Sequence, residues 1–225
     1  MEPDDGLEII AHRGLHHKPE VRENSREAIT GALDSSVAGI EVDLQLLGDG
    51  TLVLFHDDSI KTSSYYPLSS LTYSQFRSLV DFDPLRLEDL LELDWKGKRM
   101  ILECKPNRNH VSLVRRLLLS LPNPDSSLPL MLSSYDPDIL TRLAARTEHN
   151  LAPVISSFSG RITRLLKSNR WSEYHLDSAL IDNPMTSQLV SEDDVILWTI
   201  NDTSGLEQLE RLGIKGIMSD NPDAF

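Results

Sequence analysis

The sequence predicts an α/β protein of the (β/α)8, or TIM-barrel, class, with a β-hairpin extension after the second strand and a short insertion at the barrel mouth. Three observations lead there. Apolar runs of strand length alternate with helix-like stretches along the 225-residue chain, the pattern of a parallel sheet covered by helices. Nine runs read as strands, but Gly48-Asp49-Gly50 joins two of them with a link too short for a parallel crossover, so that pair folds as a hairpin and eight strands are left for a barrel. Finally, ionisable residues gather at the carboxyl ends of the expected strands, where a barrel of this kind builds its site.

Taken in order, strands are expected at 8–11, 39–44, 51–55, 99–104, 130–133, 152–155, 179–181, 195–200 and 216–218. Helices are expected at 25–36, 87–93, 111–119, 137–146, 161–167 and 204–212, where apolar residues recur at helical spacing. The polar, Ser- and Tyr-rich stretch 57–83 interrupts the alternation and sits where a lid would cover the mouth. The stretch 121–127 carries only loop chemistry. Neither reads as a linker, so residues 1–225 are expected to form a single domain.

Composition narrows the function. With 22 Lys and Arg against 35 Asp and Glu, the formal net charge of −13 repels nucleic acid and anionic lipid, so neither is an expected partner. One cysteine, Cys104, permits no internal disulfide and suits a reducing compartment. The acidic start lacks a secretory pattern, and no apolar run approaches the ~20 residues a membrane span needs. A cytoplasmic protein without integral membrane association is the expectation.

The chemistry lies in four strand-end clusters. His12-Arg13-Gly14 follows the first strand, and Glu41 and Asp43 stand two apart, hence on one face of the second. His56-Asp57 closes the hairpin return, and Glu103 and Lys105 share a face further on. Since Ile40, Val42 and Leu44 make the other face of that strand apolar, both faces are expected to be covered, and buried carboxylates need a cation. Glu41, Asp43 and Glu103 supply hard oxygen ligands suited to Mg²⁺ or Ca²⁺. Arg13 and Lys105 are donors for an anionic group, and His12 and His56 titrate near neutrality, one to act as base and the other as acid. Together they describe phosphodiester cleavage.

Other residues have plainer readings. Trp198 lines the mouth against a substrate's apolar part or else belongs to the core. Asn24, three before Glu27, reads at least as well as a helix cap as anything functional. His16, His17, His110 and His149 are expected in solvent, His175 is ambiguous, and Cys104 should face the helical shell.

The ordered series His12-Arg13-Gly14, Glu23-Asn24-Ser25, Glu41-Val42-Asp43, His56-Asp57, Glu103-Cys104-Lys105, Ser133-Ser134-Tyr135-Asp136-Pro137, Trp198-Thr199-Ile200-Asn201-Asp202 and Ser219-Asp220-Asn221-Pro222 resembles the glycerophosphodiester phosphodiesterase family. The resemblance implies a (β/α)8 barrel that hydrolyses glycerophosphodiesters to glycerol 3-phosphate and an alcohol with a divalent metal. It assigns His12 and His56 to acid–base catalysis, Glu41, Asp43 and Glu103 to the metal, and Arg13 and Lys105 to the phosphate. Attack by a glycerol hydroxyl through a cyclic phosphate and direct attack by water both remain open. The sequence departs from the family at Arg22, where a proline is usual, at Lys61, at 85–89 and at Asn221, and its insertion after His56 is short. These departures bear on which alcohol is released. The alternatives are a lysophospholipase D-type activity on acylated substrates and, less favoured, a barrel that only binds phosphate esters.

Overall fold

The computed structural model describes residues 6–168 and 171–225. In chain order its strands are β1 (Glu8–His12), β2 (Gly39–Leu46), β3 (Leu52–Leu54), β4 (Ser59–Lys61), β5 (Tyr65–Pro67), β6 (Arg99–Cys104), β7 (Leu130–Ser134), β8 (Asn150–Ile155), β9 (Tyr174–Asp177), β10 (Val195–Trp198) and β11 (Gly216–Ser219). The helices are α1 (Arg26–Asp34), α2 (Tyr73–Leu79), α3 (Leu87–Leu91), α4 (His110–Ser120), α5 (Pro137–Ala144), α6 (Gly160–Ser168), α7 (Pro184–Glu192) and α8 (Leu206–Arg211). No helix among the described residues is long and apolar enough to cross a membrane.

β1, β2 and β6 to β11 pair in parallel around a full circuit, which β1 closes by pairing with both β11 and β2. This is the expected eight-stranded barrel, and strand periodicity explains its two cores. Along β6, Met100, Leu102 and Cys104 point outward into the layer beneath the helices, which also takes Val42 and Leu44. Ile101 points inward and meets Ile10, Met131, Ala152, Ile196 and Met218 in a smaller core inside the barrel. Cys104 is therefore a buried hydrophobe of the shell, and burial pushes its thiol pKa up.

The hairpin forms where Gly48-Asp49-Gly50 requires it. Gly50 takes φ +87°, Asp49 accepts from the Thr51 N–H, and Leu44 and Leu46 face Leu54 and Leu52 across an antiparallel ladder. The Phe55 N–H still donates to the Asp43 carbonyl at 3.0 Å, which delivers His56 beside the acidic strand.

Two expectations fail. The seventh run, 179–181, is no strand: Ala179 lies in a 3-10 turn capped by Asp177, and the strand is Tyr174–Asp177. Its polar residues were not recognised because they face the barrel interior. Nor do residues 57–83 cover the mouth, since none of them lines the central cavity. They form the hairpin β4–β5 and α2, and pack Ile60, Leu68, Leu71 and Phe76 against Leu47, Val53 and Phe55 as a satellite core on the outside of the β2–β3 hairpin. Thr72 and Gln75 form a capping box at the start of α2, a helix not expected from this polar, Ser- and Tyr-rich stretch. α7, also unforeseen, starts with an equally regular signal, the Asn183 cap followed by Pro184.

At the amino-terminal end of the barrel the interior is ionic. Arg99 contacts Glu8 and places Nη2 2.7 and 2.6 Å from the two oxygens of the buried Glu173. Two glycines leave room for these side chains. A Cβ on Gly39 would lie 2.9 Å from Arg99 Cβ, and one on Gly216 only 2.6 Å from the Glu8 carbonyl oxygen.

Candidate active site

At the opposite end the strand termini converge on a cavity of about 300 Å³. His12, Arg13, Glu41, His56, Glu103, Lys105 and Trp198 all line it, together with Ser133, Tyr135 and His175. Asp43 lies directly behind, fully buried. The sequence-predicted set is thus brought together around one space.

The three carboxylates are placed by register. Asp43 pairs with Glu103 across β2 and β6, and Glu41 lies two residues back on the same face. One oxygen from each of Glu41, Asp43 and Glu103 lies within 4.8 Å of the others, and all three residues are buried. Burial, with Asp43 and Glu103 beside it, drives the Glu41 pKa well up. Burial likewise raises Glu103, against the opposing pull of Lys105. Burial pushes Asp43 up too, but Lys105, Arg13 and the Asn24 amide outweigh it and hold this carboxyl down. Lys105 Nζ lies 3.0 Å from Asp43 and 2.8 Å from Glu103, and Arg13 Nε 3.0 Å from Asp43. Glu41 Oε1 is buried without a hydrogen-bond partner. Hard oxygens at this spacing, one of them unpartnered, fit a divalent cation.

The loop after β1 is bent to serve this cluster. Arg13 and Asn24 take φ of 58° and 57°, a region L-residues seldom occupy, and the Asn24 N–H donates to the Arg13 carbonyl. The Arg13 N–H then points at Glu41 Oε2 from 3.2 Å, while its guanidinium is held by Glu23 at 2.8 Å. Asn24 is not the helix cap that its spacing suggested. Ser25 caps α1, and Asn24 grips Asp43 from both sides: Nδ2 donates to Asp43 Oδ2 at 2.8 Å and Oδ1 accepts from the Asp43 N–H at 3.0 Å.

Each histidine has a carboxylate behind it. His12 Nδ1 lies 2.6 Å from Asp220 Oδ1, with Nε2 3.8 Å from Glu41, and Asn201 donates to the other Asp220 oxygen at 3.0 Å. His56 Nδ1 lies 2.9 Å from Asp57. Hydrogen bonds from His12 and His16 hold Asp220 far below the usual carboxylate range. His16 is not in solvent as expected. It is half-buried, with Nε2 3.1 Å from the His12 carbonyl and 3.6 Å from Asp220, and Asp220 raises its pKa. Asp220 was missed as a site residue because the contact with His12 spans 208 positions, although its motif was visible. Trp198 meets Tyr135 edge-on at 5.6 Å in the cavity wall and also packs against the apolar core inside the barrel.

Comparisons with known proteins follow this geometry. The model of the glycerophosphoryl diester phosphodiesterase family matches residues 12–224. Glycerophosphodiester phosphodiesterase 1 of Bos taurus is 38% identical over 81 residues, a match spanning 35% of this chain and 24% of the bovine protein. A glycerophosphodiester phosphodiesterase of Bacillus altitudinis is 24% identical over 234 residues, covering 96% of this chain and 95% of that one. Among solved structures, a glycerophosphodiester phosphodiesterase from Parabacteroides distasonis superposes with a TM-score of 0.79 at 20% identity, over 97% of this chain and 94% of its own. An Oleispira antarctica phosphodiesterase in complex with the product sn-glycerol-3-phosphate gives 0.78 at 23%, over 96% and 93%. Both likenesses establish the barrel.

Proposed function

The chain belongs to the glycerophosphoryl diester phosphodiesterase family, and from that membership we propose that it hydrolyses glycerophosphodiesters to glycerol 3-phosphate and an alcohol, with a divalent metal and histidine acid–base catalysis. The observation that carries the reading is the meeting of three buried carboxylates, two cations and two carboxylate-backed histidines around one cavity.

Glu41, Asp43 and Glu103 would hold the metal, which when bound neutralises charge on the phosphoryl oxygens. Arg13 and Lys105 turn their remaining donors toward the phosphate. Asp220 and Asp57 each occupy the Nδ1 side of a histidine, fixing its ring and leaving Nε2 as the nitrogen that exchanges protons. One imidazole takes the proton of the attacking oxygen, from water or from a glycerol hydroxyl, and the other gives a proton to the departing alcohol oxygen; if the glycerol hydroxyl attacks, water then opens the cyclic phosphate to glycerol 3-phosphate. Trp198 and Tyr135 form an apolar wall against the carbon skeleton.

The test is release of glycerol 3-phosphate from glycerophosphocholine with Mg²⁺ or Ca²⁺, with and without chelator. The expected result is metal-dependent release that chelator abolishes and that His56→Ala lowers by ~10²-fold or more. Full activity in folded, metal-loaded His56→Ala would remove the acid–base assignment.

A further inference from the structure

Beneath the proposed reaction centre the barrel interior is apolar, with Ile10, Ile101, Met131, Ile196 and Met218 in contact. His175 interrupts it. The residue is 1% exposed, lies in register with Ile196 on β10 and Val154 on β8, and lines the same cavity as His12 and Glu41. No step described above uses it.

The ring is oriented from below. His175 Nε2 lies 2.7 Å from Glu173 Oε1, and Arg99 grips both oxygens of that carboxylate. Burial pushes the Glu173 pKa up, but His175 and Arg99 overcome it and bring it to about 2, so the carboxylate is ionised and can only accept. Nε2 therefore carries a proton and donates. That leaves Nδ1, which has no partner among the described residues. The ring lines the cavity, where Nδ1 can meet a bound ligand, and an apolar core needs no histidine at this position. A hydroxyl satisfies Nδ1 in either protonation state, because it both donates and accepts.

We propose that His175 is a specificity-determining residue that hydrogen-bonds, through Nδ1, a hydroxyl of the glycerol moiety held in the cavity. This rests on the glycerophosphodiester reading above. The phosphate stays with the cations and carboxylates near the mouth, and the uncharged polyol end reaches the floor. Glu173 and Arg99 act as positioning residues that fix which ring nitrogen is free.

The experiment compares binding of sn-glycerol 3-phosphate and n-propyl phosphate by calorimetry, in Mg²⁺, to the full chain and to His175→Phe. The unaltered protein should prefer sn-glycerol 3-phosphate by about tenfold. His175→Phe should reduce that preference to about twofold or less while leaving n-propyl phosphate binding unchanged. If His175→Phe fails to fold, His175→Leu is measured instead; it too removes Nδ1 and should also shrink the preference. A folded variant that keeps the full preference overturns the proposal, as does an unaltered protein that binds both phosphates equally. Binding of neither phosphate would overturn the proposed function together with this inference, whereas equal binding overturns this inference alone.

Discussion

At the scale of single residues, positioning side chains decide whether the proposed catalysts can act. Asp220 accepts from His12 Nδ1 at 2.6 Å and is itself held by Asn201. Asp220→Asn keeps the size of the side chain but offers an NH₂ group to Nδ1, which admits the wrong tautomer. The expected outcome in steady-state kinetics is a fall in kcat of about 10²–10⁴ with KM little changed. Asn24 is the corresponding support for the carboxylates. Asn24→Asp would replace the amide that donates to Asp43 with a second carboxylate, so metal affinity measured by titration should drop by about 10–100-fold. Both residues lay inside motifs visible in the sequence, yet neither role was legible. A cap and a carboxylate support use the same residue type, and only the fold reveals that Asn24 reaches Asp43 while Ser25 caps the helix.

At the scale of elements, legibility followed periodicity. β2 and β6 could be read because apolar residues alternate with the Glu41, Asp43 and Glu103 carboxylates, and the hairpin because a three-residue glycine link admits no crossover. β9 could not, since Tyr-His-Leu-Asp reads as a polar loop until Glu173 and Arg99 supply a partner for its histidine. Segment 57–83 was misplaced for a related reason: its apolar residues are too widely spaced to mark an element, but they meet in space around Phe76. That satellite core supports the site from the side. Phe55, next to His56, packs edge-on against Phe76 at 5.3 Å and stacks on Phe82 at 6.3 Å, and Arg22 from the loop that carries Glu23 lies 3.9 Å over Phe82. Phe76 is fully buried, so Phe76→Ala should cost about 3–5 kcal/mol in that subregion. Loss of kcat at temperatures where circular dichroism still reports an intact barrel is the expected signature, because His56 loses its backing before the eight strands separate.

At the scale of the whole molecule, the two ends of the barrel handle buried charge in opposite ways. The carboxyl end concentrates three carboxylates with Lys105 and Arg13, leaving Glu41 Oε1 unpartnered, an arrangement suited to an added cation. The amino-terminal end is self-compensated: Glu8 of β1, Arg99 of β6 and Glu173 just before β9 tie strands from three sides of the circuit. This pairing makes barrel stability depend on acid. Glu173 has a folded pKa of about 2, below the ordinary carboxylate value of 4.5, so ionisation stabilises the fold above the unfolded pKa and that contribution disappears as pH falls from about 4.5 through about 2. The shift corresponds to about 3 kcal/mol at pH 6 and about 1 kcal/mol at pH 3. Breaking one partner of a buried pair is itself expensive, so Glu173→Gln should lose about 3–5 kcal/mol at pH 6. Urea unfolding at pH 6 and pH 3 should show the gap between the two proteins narrowing by about 2 kcal/mol on acidification. A gap that stays constant would mean that Arg99 is satisfied equally well by Glu8 alone, and that closure of the barrel rests on its apolar layers.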